Sequence, residues 1–458
     1  MALAVSAAAT LLTALVVVPG QAATTGADGV TIQVACTAPA WAEGNTYTVG
    51  QQVTYQGRLY QALVTHTAYV GAGWNPAATP SLWKDLGACD GTPTSPSASP
   101  TRSPSRSPSA SPSASRTASA SPSASRSPSA SPSTSPSGGT TTCAVKSRPA
   151  GKVLQGYWEN WDGAANGVHP GMGWIPITDS RIAAHGYNVI NAAFPVIRSD
   201  GTVLWENGMD AGVKVATPAE MCAAKAAGAT ILMSIGGAAA GIDLSSSTVA
   251  DRFVATVVPI LKTYNFDGID IDIETGLTGS GTITTLSASQ ANLIRIIDGV
   301  LAQMPSNFGL TMAPETAYVT GGSVTYGSIW GAYLPIVKKY ADNGRLWWLN
   351  MQYYNGSMYG CSGDSYSAGT VQGFQVQTQC LNTGLVIQGT TIRVPYDKQV
   401  PGLPAQSGAG GGYMTPSLVT QCWNAFSGSL KGLMTWSINW DGSKGWTFGD
   451  NVKARQGR

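Results

Sequence analysis

The stretch Phe266-Asp267-Gly268-Ile269-Asp270-Ile271-Asp272-Ile273-Glu274 alternates strictly between apolar and acidic side chains from Ile269 onward. A β-strand sends successive side chains to opposite faces, so the three isoleucines share one face and Asp270, Asp272 and Glu274 the other. The isoleucine face suits a covering layer of helices. The acidic face sets three carboxyls in a row, each roughly 6.6 to 7 Å along the strand from the next. Three ionised groups so placed repel one another, so at least one is expected to keep a proton near neutral pH. Such a proton is what an acid catalyst donates. A salt-bridge network would need basic partners, and the neighbouring strands carry almost no Lys or Arg.

Outward from this strand, apolar strand, loop and amphipathic helix recur from Lys152 to Arg458. The strand candidates are KVLQGYW, YNVINAAF, ATILMSIGG, FDGIDIDIE, GLTMAPE, LWWLNMQYYN, KQVPGLPAQ and KGLMTWSINW, with helical patterns between most of them, as in VADRFVATVVPILKTYN and SQANLIRIIDGVLAQ. Such a series of β/α units predicts an α/β fold, the closed parallel (β/α)8 TIM barrel, whose active site sits at the C-terminal ends of the strands. Glu274 is then the acid nearest the open end. The chain continues only to Arg458 after Trp440, so the last helix is expected to be short or absent.

Ahead of the barrel, Thr92 to Ser137 is almost wholly Ser, Pro, Ala and Thr, interrupted by Arg102, Arg106, Arg116 and Arg126. This composition cannot bury a core. In polyproline geometry, at about 3.1 Å per residue, the tract would reach about 140 Å. The expected organisation is a leader at 1–23, a small module at 36–90, a linker at 91–142 and the catalytic barrel at 148–458. The leader reading rests on the apolar run Leu11 to Val18 followed by Pro19, Gly20 and small residues suited to cleavage near Ala22 or Ala23, although no Lys or Arg precedes the run. The run is short of the ~20 residues that a membrane span needs. The module's short alternating runs, VTYQG and RLYQALV, read as antiparallel strands.

Charge narrows the partner. Of 458 residues, 26 are Lys or Arg and 24 are Asp or Glu, so neither a nucleic-acid footprint nor a trap for acidic ligands is indicated. The 14 Trp and 17 Tyr suit stacking on sugar faces, though they serve equally as core. Cys36, Cys89, Cys143, Cys222, Cys361, Cys380 and Cys422 form no CxxC pair, and His66, His169 and His185 are scattered, so no metal site and no cofactor are expected. Disulfides are the better use of cysteine in an exported chain. Cys36 with Cys89 and Cys361 with Cys380 are the expected pairs, and an odd count leaves at least one thiol free.

DGIDIDIE matches the DxxDxDxE signature of glycoside hydrolase family 18, and Ser234-Ile235-Gly236-Gly237 matches that family's SxGG. The resemblance spans Lys152 to Trp440 and is closest to compact bacterial chitinases of streptomycete type. It implies hydrolysis of chitin by substrate-assisted retention, with Glu274 protonating the glycosidic oxygen and the substrate's 2-acetamido oxygen as nucleophile. By the same resemblance Asp272 orients the acetamido group, Asp270 shares a proton with Asp272, Tyr354 and Asn355 hold the acetamido group, and Trp436 lies beneath the sugar. Gln352 shares the inward face of Tyr354. Tyr157, Met312 and Glu315 are expected at strand ends facing the site, and Trp158, Trp161, Trp205, Trp330 and Trp440 are weighed as outer sugar contacts. The segment from Trp41 to Leu86 resembles carbohydrate-binding modules of families 5 and 12. This implies that Trp41 and the strand tyrosines build the core while Tyr69 and Trp74 face polysaccharide. The whole reads as a secreted, monomeric enzyme acting on chitin and N-acetylglucosamine oligosaccharides, with no nucleic acid or membrane partner. The rivals are an endo-β-N-acetylglucosaminidase of N-glycans, a peptidoglycan hydrolase, and a silent chitin-binding lectin, a type that typically lacks the terminal acid.

Overall fold

The computed structural model describes residues 33–34, 36–43, 45–63, 66–68, 75–77, 79, 82–89, 141–163, 169, 172–238 and 241–458. The leader at 1–23, the Thr92 to Ser137 tract, Tyr69 and Trp74 lie outside them. The catalytic part is built on β1 (Val153–Glu159), β2 (Val189–Ala193), β3 (Thr230–Gly236), β4 (Gly268–Asp272), β5 (Gly309–Met312), β6 (Trp348–Leu349), β7 (Gly402–Pro404) and β8 (Gly432–Trp436). These eight form one parallel sheet in the order β6-β5-β4-β3-β2-β1-β8-β7. Parallel bridges Leu349↔Gln399 and Gln352↔Gly402 join the two edges and close the barrel.

The alternation in β4 is realised as the sequence requires. Ile269, Ile271 and Ile273 are fully buried in an outer cluster with Phe253, Val257 and Leu261 of the helix Ser247–Thr263 and Leu293, Ile296 and Ile297 of the helix Ala288–Leu301. Each such isoleucine contributes about 1.5 to 3 kcal/mol of burial. Ser246 and Ser287 cap these helices, the latter in a capping box with Gln290. A separate cluster inside the barrel, including Val153, Tyr157, Leu232, Trp348 and Met434, fills the space beneath the acids. After Trp440 the chain still forms a short helix, Thr447–Arg455.

Two boundaries move. The barrel unit begins before residue 148. Cys143 is bonded to Cys222, Asn265 Nδ2 donates to Thr141 O (2.8 Å), and Lys146 N donates to Asp267 Oδ1 (2.7 Å). Asp267, the first acid of the decisive stretch, is buried against Lys225 (2.7 Å) and fastens this segment. The module's sheet likewise begins before Cys36, because Gln33–Val34 pairs with Ala88–Cys89 in parallel. The expected strands VTYQG and RLYQALV are present as Gln52–Tyr55 and Arg58–Ala62, which pair antiparallel with each other, and Arg58–Ala62 with Trp83–Cys89. Tyr47, Tyr60 and Trp83 are buried there, with Trp41 edge-on to Tyr55 at 5.2 Å. Cys36–Cys89 and Cys361–Cys380 are disulfides, and Cys422 is a buried free thiol. No helix among the described residues is long and apolar enough to cross a membrane.

Candidate active site

The parallel register places Ser234 of β3 and Thr311 of β5 on either side of Asp270. Both hydroxyls donate to it, Ser234 Oγ to Oδ2 (2.8 Å) and Thr311 Oγ1 to Oδ1 (2.5 Å). Tyr157 OH donates to Oδ2 (2.8 Å) and Asn350 Nδ2 to Oδ1 (3.0 Å). A carboxylate has four lone-pair positions, and here four donors occupy them. Asp270 is thus fully enclosed by polar partners beneath the other two acids. Burial raises the Asp270 pKa, with the donors acting in the opposite direction.

The next two acids lie one step higher. Gln352 Nε2 donates to Asp272 Oδ1 (2.9 Å), Glu274 Oε1 (3.0 Å) and Ala313 O (3.0 Å), bracing the two carboxyls side by side. Burial pushes Glu274 up to about 7, against the hydrogen bonds of Gln352 and Asp272. Burial, followed by the charges of Glu274 and Asp270, lifts Asp272 well above the usual carboxylate range. Among the described residues no Lys, Arg or His is paired with any of the three acids. Burial acts first, and the repulsion that the spacing of the acids led one to expect adds to it for Asp272, so the pair holds a proton near neutral pH.

The sign of the pH dependence follows. A raised acid is protonated below its pKa, so kcat/KM on soluble substrate is expected to persist through mildly acidic pH and to fall as pH rises through about 7. A pH–rate profile checks this. A basic limb complete by pH of about 5, near the unperturbed glutamate value, would contradict it.

The cleft above the acids is lined by Asp272, Glu274, Glu315, Gln352, Tyr354, Asn355, Trp436 and Trp440, together with Phe194. Trp436 stacks on Phe194 (centroids 6.0 Å, 16° between planes), and Phe194 stacks on Trp161 (6.4 Å, 17°). The SxGG glycines make room for this floor. Gly236 has a φ of 111° and lies where a Cβ would meet Asp272 O at 2.2 Å, while a Cβ on Gly237 would meet the Phe194 ring at 2.8 Å. Burial keeps the Tyr354 hydroxyl neutral, its pKa well above the usual range.

Several expected residues sit elsewhere. Met312 does not face the site: its neighbour Thr311 points inward, so Met312 points out and is buried in the helix-facing cluster. Tyr157 lies below the cleft as a donor to Asp270 and packs on Trp436 at 5.4 Å. Asn355 reaches the cleft, but its Oδ1 accepts from Gly411 N (2.9 Å), tying it to the 408–411 loop. Trp158 and Trp205 are core residues, and Trp330 packs edge-on against Tyr359. Thr311, Asn350 and Phe194 were not singled out from the sequence. Extending the alternation of Gln352 and Tyr354 backward finds Asn350, whereas Thr311 requires knowing which strand lies beside Asp270.

Residues 153–326 match the model "Glycosyl hydrolases family 18" and residues 40–84 the model "Carbohydrate-binding module family 5/12". Endochitinase 4 of Metarhizium robertsii is 83% identical over 314 residues, covering 69% of this chain and 91% of the relative. Chitinase Chi52 of Paenibacillus xylanexedens is 32% identical over 480 residues, 88% of each chain. A family GH18 chitinase structure from Chromobacterium violaceum covers 92% of this chain and 100% of its own, with TM-score 0.59 and 28% identity. The relative at 83% identity is fungal, where the motifs had suggested a bacterial streptomycete type.

Proposed function

The chain belongs to the family 18 glycosyl hydrolases, and from that premise we propose a secreted, monomeric, endo-acting chitinase that cleaves β-1,4 bonds between N-acetylglucosamine units. The observation that carries the mechanism is the Asp272–Glu274 pair, braced by Gln352 and holding a proton at the cleft floor. Glu274 transfers that proton to the glycosidic oxygen as the bond to the anomeric carbon breaks. The substrate's acetamido oxygen attacks that carbon and gives an oxazolinium ion, while Asp272, now the anionic partner, accepts from the acetamido N–H. Tyr354 OH donates to the acetamido oxygen, Asn355 borders that group, and Trp436 supports the sugar ring. Glu274 then takes a proton from the water that opens the oxazolinium, restoring the acid. Glu315 borders the same subsite.

A module of family 5/12 favours a solid polymer over soluble N-glycans, because tethering raises local concentration only where substrate is immobile. Wild-type protein is expected to release acetylated oligosaccharides from crystalline chitin. Trp74→Ala is expected to weaken adsorption to the solid by about 1 to 3 kcal/mol, as for other flat ring stacks, and to leave soluble oligosaccharide cleavage unchanged. Absence of release from chitin would refute the function; equal loss on solid and soluble substrates would refute the role of Trp74.

A further inference from the structure

Glu274 lies beyond the end of its strand. β4 closes its ladder at Asp272, whose carbonyl accepts from Gly237 N (2.7 Å), and on the other side Ala313 N donates to Ile271 O (2.9 Å). The next backbone groups would otherwise lack partners in a buried setting, which is costly. Two tyrosine hydroxyls take them. Ile273 N donates to Tyr333 OH (3.0 Å), Tyr333 OH donates to Ile273 O (2.8 Å), and Tyr318 OH donates to Glu274 O (2.8 Å). Both side chains are buried, and their rings meet edge to face with centroids 5.9 Å apart. Tyr333 N donates to Tyr318 O (2.9 Å), so the two form one unit carried by the segment after β5.

We propose that Tyr318 and Tyr333 are positioning residues for the acid, a two-hydroxyl clamp that replaces the missing ladder at Ile273 and Glu274 and aims the Glu274 carboxyl at the glycosidic oxygen. The proposal rests on the reading of Glu274 as general acid. Neither hydroxyl touches substrate; each acts through the backbone that carries Glu274. Burial holds both phenols neutral, so they remain donors throughout the working pH range.

The test uses Tyr318→Phe and Tyr333→Phe, which keep the rings and remove the hydroxyls. Tyr340→Phe serves as control, because Tyr340 OH donates to Asp298 Oδ1 (2.8 Å) among the outer helices. On chitin oligosaccharides each clamp variant is expected to lose about tenfold or more in kcat with KM nearly unchanged, since small misplacements of a reacting group are costly. On a 2,4-dinitrophenyl chitobioside, whose leaving group departs with little protonation, the clamp variants are expected to stay near wild type. The ratio of the two rates does not depend on the folded fraction, so partial misfolding cannot imitate the result. Tyr340→Phe is expected to lower thermal stability and leave the ratio unchanged. A ratio within about twofold of wild type for both clamp variants overturns the proposal. Glu274→Gln, measured alongside, is expected to show the same leaving-group dependence in stronger form; if it does not, the assignment of the acid fails instead.

Discussion

Glu274→Gln lowers kcat on chitin oligosaccharides by about 10²- to 10⁴-fold or more, the range that general acid catalysis typically supplies, while substrate binding persists. The expectation of intact binding comes from the geometry. A glutamine occupies the same volume, and its carbonyl oxygen can still accept from Gln352 Nε2 as Glu274 Oε1 does. Asp272, Trp436 and Tyr354 keep their places in the cleft. What is gone is the carboxyl that gives up its proton in the first step and takes one from water in the second. Because proton transfer by Glu274 acts in the chemical steps and not in binding, kcat and kcat/KM fall together and KM does not rise. Steady-state kinetics with equilibrium binding of a chitin oligosaccharide measures both quantities, and a loss below about tenfold would remove Glu274 from the acid role.

Much of this site could be read from the strand alone. Alternation placed Asp270, Asp272 and Glu274 on the inner face and three isoleucines on the outer one, and both faces are occupied as that pattern demands. The same argument, applied without register, misplaced Met312. Its strand is four residues long, too short to announce its own phase, and Thr311 pointing inward decides it. The hydrogen-bond partners of Asp270 were also out of reach. Its four donors come from β1, β3, β5 and the chain just after β6, and only barrel closure brings them to one point. Tyr318 and Tyr333 carry no periodic signal because they serve the end of another strand across a loop. The Cys143–Cys222 bridge spans 79 residues and ties the end of the linker to a helix, a pairing that spacing could not reveal.

Asp272→Asn is expected to be severely impaired as well, by about 10²-fold or more, comparable to removing a preorganised charge partner from a developing ion. The change is nearly isosteric and retains an acceptor for Gln352 Nε2. What it removes is the negative charge that orients the acetamido N–H and balances the oxazolinium. It also removes the neighbour whose charge is coupled to Glu274 at the cleft floor. The variant separates two retaining mechanisms: if a carboxylate of the enzyme attacked carbon, a sugar would accumulate on it, whereas attack by the substrate's own acetamido oxygen leaves the protein unmodified. The most direct measurement supplies an oligosaccharide lacking only the acetyl group of the sugar at the cleaved bond, and follows both product release and protein mass. With no internal nucleophile this substrate is predicted to remain intact, and the protein mass to stay unchanged in wild type and in Asp272→Asn. Rapid cleavage, or a mass increase marking a sugar on Asp270 or Asp272, would contradict the mechanism.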